Sequence, residues 1–110
     1  MPMRVLKEEI KIIVVRPDKQ PYIESIRNSM SDIYGLVYYP YVEIPLGKDL
    51  FLLANKELKL ENFKFNRMVA GVKIYGTFII VGRQGSDLKS LTQEQINIWE
   101  GSCSKWEKLK

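Results

Sequence analysis

The sequence predicts a single small α+β domain, in which two helices pack on a mixed or antiparallel sheet of about 4-5 strands. Three observations predict this class. Runs of β-branched residues occur at Ile10–Val15 and Ile74–Gly82, apolar residues recur at helical spacing in two other segments, and 110 residues suit a single hydrophobic core. We therefore expect residues 1–110 to form one domain with the element order β-α-β-β-β-α.

The first strand and the first helix are predicted in the N-terminal third of the chain. Ile10–Val15 is apolar except for Lys11, which is typical of a strand inside a sheet. Turn-forming residues follow at 17–21, and Pro21 suits the first turn of a helix. Spacings of i, i+3, i+7 and i+10 then predict a helix that packs on the sheet through Ile23, Ile26, Met30 and Ile33.

A β-hairpin is predicted in the middle of the chain. Apolar residues alternate from Val42 to Leu46, and Pro45 within this run favours an edge position. The short connection Gly47-Lys48-Asp49 leads directly into the apolar run Leu50–Ala54. We expect these two runs to pair as antiparallel strands.

The C-terminal half is predicted to contain a long loop, a central strand and a second helix. Periodicity fades from Asn55 to Val72, which predicts an ordered loop with one short strand at most. Ile74–Gly82 is the strongest strand signal, with Gly76 marking a bulge or a close approach of backbone. Thr92 and Gln95 form a capping-box pattern, and the helix that follows carries an apolar stripe of Ile96, Trp99, Cys103 and Trp106.

Composition argues against several classes of enzyme. The chain has no histidine and one cysteine, so it lacks the usual general base, the usual partner of a catalytic serine or cysteine, and the commonest zinc ligand. No phosphate-binding glycine motif occurs. We therefore expect a protein that is not an enzyme and that holds no cofactor and no metal. The absence of an export signal and of a long apolar run predicts a cytoplasmic protein without a membrane partner.

The best candidate site lies between Asn55 and Thr77, where amides, cations and aromatic rings concentrate. The net charge of +4 arises from residues 56–110, which hold ten basic and six acidic side chains. Such residues could clamp a phosphate, read a base edge and stack on a ring. The predicted ligand-binding residues are Asn55, Lys59, Asn66, Arg67, Tyr75 and Thr77. Alternatively, the two asparagines close turns and Arg67 pairs with Glu57 or Glu61.

A tyrosine cluster forms a second candidate. Tyr34, Tyr38, Tyr39 and Tyr41 form this group beside the predicted edge strand, and tyrosines are enriched at protein interfaces. The predicted interface residues are Tyr38, Tyr39 and Tyr41. The edge strand could pair with a second copy and give a homodimer or a higher homo-oligomer. Half-buried packing of the rings is the alternative.

Several segments together resemble a known family. They are Ile12-Ile13-Val14-Val15-Arg16-Pro17, Ala54-Asn55-Lys56-Glu57-Leu58-Lys59-Leu60, Asn66-Arg67, Gly76-Thr77-Phe78-Ile79-Ile80-Val81-Gly82 and Ser90-Leu91-Thr92. In this order they resemble a domain-of-unknown-function family of Gram-positive bacteria, their phages and plasmids, over most of residues 9–100. The resemblance implies an accessory protein of mobile elements with a role in the contest between host and invader, acting in the host-cell cytoplasm if phage-encoded.

Three functions follow from these observations. The first is a counter-defence protein that sequesters a nucleotide-like small molecule, or that blocks a host protein. The second is a nucleic-acid-binding protein that uses the basic 56–83 segment. The third is a small protein-protein interaction module built on the tyrosine cluster and the edge strand.

Overall fold

A computed structural model describes residues 9–27, 32–33, 35–37, 41–47, 49–55, 65–69, 71–85 and 87–105 of the chain, with side chains at 65, 67, 87 and 102–105 left undescribed. The described residues form eight strands and one helix. In chain order they are β1 (Glu9–Val15), β2 (Tyr22–Arg27), β3 (Tyr41–Gly47), β4 (Leu50–Asn55), β5 (Phe65–Val69), β6 (Val72–Tyr75), β7 (Phe78–Gln84), β8 (Asp87–Lys89) and α1 (Gln93–Lys105).

The predicted fold class is wrong, because the described chain is mostly β. Six strands form an antiparallel sheet in the order β2-β1-β7-β4-β3, with β8 also paired to β7, and β5 and β6 form a separate two-stranded sheet. The predicted class had 4-5 strands and two packed helices. The prediction of β1 is confirmed, and β7 is central as the strand signal at Ile74–Gly82 indicated.

The helix predicted after Pro21 is wrong, because Tyr22–Arg27 forms β2. Every residue of β2 pairs with β1, from Tyr22 opposite Val14 to Arg27 opposite Glu9. Six residues are too few to distinguish the 3.6-residue repeat of a helix from the two-residue repeat of a strand. In addition, β1 offers a hydrogen-bonding partner that a helix would leave unused. Asp32 and Ile33 have helical backbone, whereas residues 28–31 of the predicted helix lie outside the described part.

The predicted hairpin is confirmed as β3 and β4. Tyr41 pairs with Asn55 and Ile44 with Leu52, and the register shifts between Pro45 and Gly47. β3 ends the strand order of the sheet, so Pro45 occupies the edge position that its missing N–H favours.

An ordered loop with one short strand at most is predicted from Asn55 to Val72, and the described part of this interval agrees, because it holds β5 and only the first residue of β6. β5 and β6 form an antiparallel hairpin there, while residues 56–64 lie outside the described part of the chain. The strand predicted over Ile74–Gly82 is divided into β6 and β7 by a bend at Gly76, whose φ of 79° is left-handed and suits glycine.

Buried side chains cover both faces of the large sheet. The helix face is the one covered by α1 and the β5–β6 hairpin, and its core comprises Ile13, Val15, Leu50, Leu52, Ala54, Val69, Ile74, Phe78, Ile80, Leu91 and Ile96. The turn face is the opposite one, and its core comprises Ile10, Ile12, Val14, Ile26, Ile33, Val37, Leu53, Ile79 and Val81. Alternate residues of β1 and β7 thus serve opposite faces, as the pleat requires.

The start of α1 confirms the predicted capping box. The Gln95 N–H donates to Thr92 Oγ1 at 3.1 Å, and the Thr92 N–H donates to Gln95 Oε1 at 2.9 Å. Ile96 and Trp99 of the predicted stripe pack on the helix face. The side chain of Cys103 and all of Trp106 lie outside the described part. No helix among the described residues is long and apolar enough to cross a membrane.

β7 changes its partner along one edge. Ile80 pairs with Ile13 of β1, but Gly82 pairs with Lys89 of β8. Ser90 and Leu91, which follow β8, then lie beside Lys11 of β1 in the place of β7. The Lys11 N–H donates to Ser90 Oγ, and the Leu91 N–H donates to the Lys11 carbonyl oxygen, both at 2.9 Å. A Cβ at position 82 would lie 2.8 Å from the Lys89 carbonyl oxygen, so this crossing requires glycine.

Candidate functional site

Polar and aromatic side chains line one end of the turn face. Tyr41 and Asn55 form a pair of the β3–β4 ladder, and Tyr22 lies opposite Val14 in the β1–β2 ladder. Arg16 and Thr77 each lie one residue beyond Val15–Phe78, the last pair of the β1–β7 ladder. Asn55 and Thr77 each lie two residues beyond Leu53–Ile79, the last pair of the β4–β7 ladder. We name these five residues the polar row: Tyr22, Arg16, Thr77, Asn55 and Tyr41.

Strand alternation assigns the polar row to one face. Tyr22 and Tyr41 pack against the apolar core of the turn face. Asn55 has the same parity as Leu53 on β4, and Thr77 has the same parity as Ile79, both of which belong to that core. The row therefore crosses the sheet from one edge strand to the other.

Arg16 is oriented by Tyr22. Its Nε donates to the Tyr22 hydroxyl at 3.0 Å, and its guanidinium carbon lies 5.9 Å from the centroid of the Tyr22 ring, within cation–π range. Arg16 is exposed, and its Nη atoms form no hydrogen bond or ion pair with a described residue. An arginine fixed through Nε presents its Nη donors as a planar fork, which matches the oxygens of a carboxylate or a phosphate.

The remaining members of the row are less exposed than Arg16. Asn55 is 4% exposed, whereas Thr77 and Tyr41 are half-buried. Asn55 has an interaction within the protein. The polar row thus places the exposed Arg16 cation next to the Thr77 hydroxyl. Beyond them, the buried Asn55 amide lies beside the half-buried ring of Tyr41.

Asn66 lies beneath this end of the sheet. The register of β5 and β6 shifts between Phe65 and Arg67, so Asn66 is the extra residue of a β-bulge. Asn66 is 1% exposed, and its Nδ2 donates to the carbonyl oxygen of Val15 at 2.9 Å and to that of Gly76 at 2.7 Å. Both amide hydrogens therefore serve the protein backbone.

The other predicted site residues are distributed differently. Tyr75 is half-buried and pairs with Phe65, and the backbone of Arg67 pairs with Ile74, whereas the Arg67 side chain is not described. Lys59 and the predicted interface residues Tyr38 and Tyr39 lie outside the described residues. The structure thus brings Asn55, Thr77 and Tyr41 into one row. Their roles in binding stay predictions.

Arg16 and Tyr22 were missed by sequence reasoning. The predicted helix places Tyr22 on the wrong element, and no role is predicted for Arg16, which directly precedes the predicted turn. An arginine directly after a buried strand, with a tyrosine six residues later at the start of a second apolar segment, is the signal that could have indicated them.

A second charged group occupies the opposite end of the turn face. The Arg83 guanidinium carbon lies 4.4 Å from the centroid of the Phe51 ring, and its Nη2 donates to a Glu43 carboxylate oxygen. The Arg83 N–H donates to the Asp49 carbonyl at 3.0 Å. These contacts join β3, β4 and β7. Arg83 therefore uses an Nη atom on a carboxylate of the protein, whereas Arg16 is held by Tyr22 through Nε.

These observations define a predominantly antiparallel β domain with a polar row at one end of its sheet. A family model described as a domain of unknown function, DUF3846, matches residues 10–104. The chain therefore belongs to the DUF3846 family. Neither the comparison with curated proteins nor the comparison with solved structures finds a match.

Proposed function

We propose that the polar row binds a nucleotide-derived small molecule through its phosphate. The observation that carries this proposal is the geometry of Arg16, which is exposed, held by the Tyr22 hydroxyl and ring, and has no described partner at its Nη atoms. A preorganised guanidinium loses less conformational entropy on binding an oxyanion than a freely rotating one.

The order of the row supports a ligand with a charged and a flat part. Arg16 and the adjacent Thr77 hydroxyl suit a phosphate, since guanidinium and hydroxyl groups both donate to its oxygens. Tyr41, at the far side of the row, offers an aromatic ring against which a base can pack. Asn55 lies between Thr77 and Tyr41 in the row, and its buried amide would lie between the phosphate and the base of the ligand.

The proposed action is sequestration without turnover. A chain of 110 residues without histidine lacks the usual proton shuttle near neutral pH, so binding alone is the simplest use of the row. Removal of a nucleotide signal from a host defence system would be one use of such binding. The resemblance to accessory proteins of mobile elements supports this context.

The test is isothermal titration with ADP-ribose, a cyclic dinucleotide and AMP against the wild type, Arg16→Ala and Lys11→Ala. Lys11 is the matched control, because it is an exposed cation on β1 whose side chain points to the helix face. We expect one of these ligands to bind, Arg16→Ala to weaken binding about tenfold or more, and Lys11→Ala to change it less than about twofold.

Two outcomes would contradict the proposal. Flat heats with all three ligands would remove a nucleotide from consideration. Equal weakening by Arg16→Ala and Lys11→Ala would show that net charge, and not the row, attracts the ligand.

A further inference from the structure

Asn66 joins the two backbone segments that present Arg16 and Thr77 of the polar row. Its Nδ2 donates to the carbonyl oxygens of Val15 and Gly76, which directly precede Arg16 and Thr77. We propose that Asn66 is a positioning residue, which sets the separation of Arg16 and Thr77 without touching the ligand. This inference rests on the function proposed above.

The chemistry of the side chain supports this role. A primary amide is the neutral side-chain group that donates two hydrogens from one nitrogen. Both are used here, one on the Val15 carbonyl at the end of β1 and one on the Gly76 carbonyl in the bend between β6 and β7. The bulge supplies the placement, because it inserts Asn66 as an extra residue between Phe65 and Arg67 and directs its side chain toward the large sheet.

Neither backbone segment is fixed at this point by the large sheet alone. The ladder between β1 and β7 ends at the Val15–Phe78 pair, so Arg16 and Thr77 lie beyond its last pair. Gly76, with φ of 79°, also gives the chain a bend just before Thr77. The amide of Asn66 replaces the missing ladder contacts, and it therefore determines how far apart the two polar groups stand.

Asn66→Asp tests this role, because the carboxylate has nearly the same shape but donates no hydrogen and places an anionic oxygen against two carbonyl oxygens. Val69→Ala is the matched control. Val69 lies on the same strand and is 2% exposed, so its truncation destabilises the same hairpin while leaving both Asn66 bonds in place. Asn66→Ser, which retains one donor, is the milder variant and decides the question if Asn66→Asp does not fold.

The closing experiment makes two measurements. The first is the affinity for whichever of ADP-ribose, the cyclic dinucleotide and AMP binds the wild type, and the second is the nuclear Overhauser effect between the backbone protons of Arg16 and Thr77 in the free protein. We expect Asn66→Asp to weaken affinity about tenfold and to reduce the Overhauser effect, and Asn66→Ser to fall between this variant and the wild type. Val69→Ala should lower the melting temperature while changing affinity less than about twofold.

The two measurements separate the possible failures. The positioning role is overturned if Asn66→Asp shows the same Overhauser effect between Arg16 and Thr77 as the wild type. If Asn66→Asp is unfolded, the same result in Asn66→Ser overturns it. Equal loss of affinity in Val69→Ala would overturn it as well, by showing that stability alone governs binding. If the wild type binds none of ADP-ribose, the cyclic dinucleotide and AMP, the ligand assignment fails, and the Overhauser effect in the free protein still decides whether Asn66 sets the spacing.

Discussion

Arg16 and Tyr22 are joined by two contacts of different kinds: a hydrogen bond of 3.0 Å from Nε to the hydroxyl, and a cation–π contact with 5.9 Å between the guanidinium carbon and the ring centroid. Tyr22→Phe removes the first contact and retains the second. We expect it to weaken nucleotide binding about three- to tenfold, because a hydrogen bond to a charged group stabilises its geometry by about 1 kcal/mol or more.

Titration of Tyr22→Phe and Tyr22→Leu with the ligand that binds the wild type measures this effect. Tyr22→Leu should weaken binding further, since it also removes the aromatic face. Wild-type affinity in both variants would show that Arg16 does not need Tyr22 as its support.

Gly82 of β7 lies opposite Lys89 of β8. Gly82→Ala should destabilise the protein by about 1–3 kcal/mol, because the new Cβ would meet the Lys89 carbonyl oxygen at 2.8 Å and the backbone would have to shift. Urea unfolding followed by circular dichroism measures the change. The same substitution at Gly101, an exposed position of α1 with no atom within 4 Å of the new Cβ, should instead stabilise by up to about 1 kcal/mol through helix propensity. Destabilisation of equal size at both positions would contradict this account.

The cap of α1 gives a third test. Thr92→Ala should destabilise the protein by about 1 kcal/mol, because it leaves the Gln95 N–H without the hydroxyl that accepts from it. Thr92→Ser retains that acceptor and should remain within about 0.5 kcal/mol of the wild type. Thermal unfolding of both variants is the measurement, and an Ala variant as stable as the Ser variant would exclude a role for the capping box.

Pro45 protects an edge of the sheet. β3 ends the strand order, and a proline there cannot donate to an added strand. We expect Pro45→Thr to increase self-association, as measured by light scattering at high protein concentration. Pro17→Thr, in the turn between β1 and β2, is the control and should leave the molar mass unchanged. An unchanged mass for Pro45→Thr would contradict the protective role, and the homodimer predicted through this edge stays a prediction.

Features governed by neighbours in the chain could be predicted from the sequence. The β3–β4 hairpin depends on two apolar runs and a short connection, and the start of α1 depends on Thr92 and Gln95. β2 could not be predicted in the same way. Ile23 and Ile26 fit a helical stripe, but they lie on opposite faces of a strand whose stability comes from pairing with β1.

The candidate site was predictable only in part for the same reason. Asn55 and Thr77 belong to one polar segment, which composition could indicate. Arg16 and Thr77 are 61 positions apart in the sequence and meet only through the register of β1 and β7. The bulge at Asn66 also interrupts the alternation of β5, so the period-two pattern of a strand is not visible there in the sequence.

The position of β7 between β1 and β4 has a consequence for synthesis of the protein. β1 with β2, and β3 with β4, are pairs of strands that are close in the chain, but the ladders that join one pair to the other both run through β7. A nascent chain that has emerged only as far as Tyr75 therefore holds two hairpins with exposed apolar edges and no shared strand. Cooperative folding must wait for β7, and closure of this long-range connection should limit its rate.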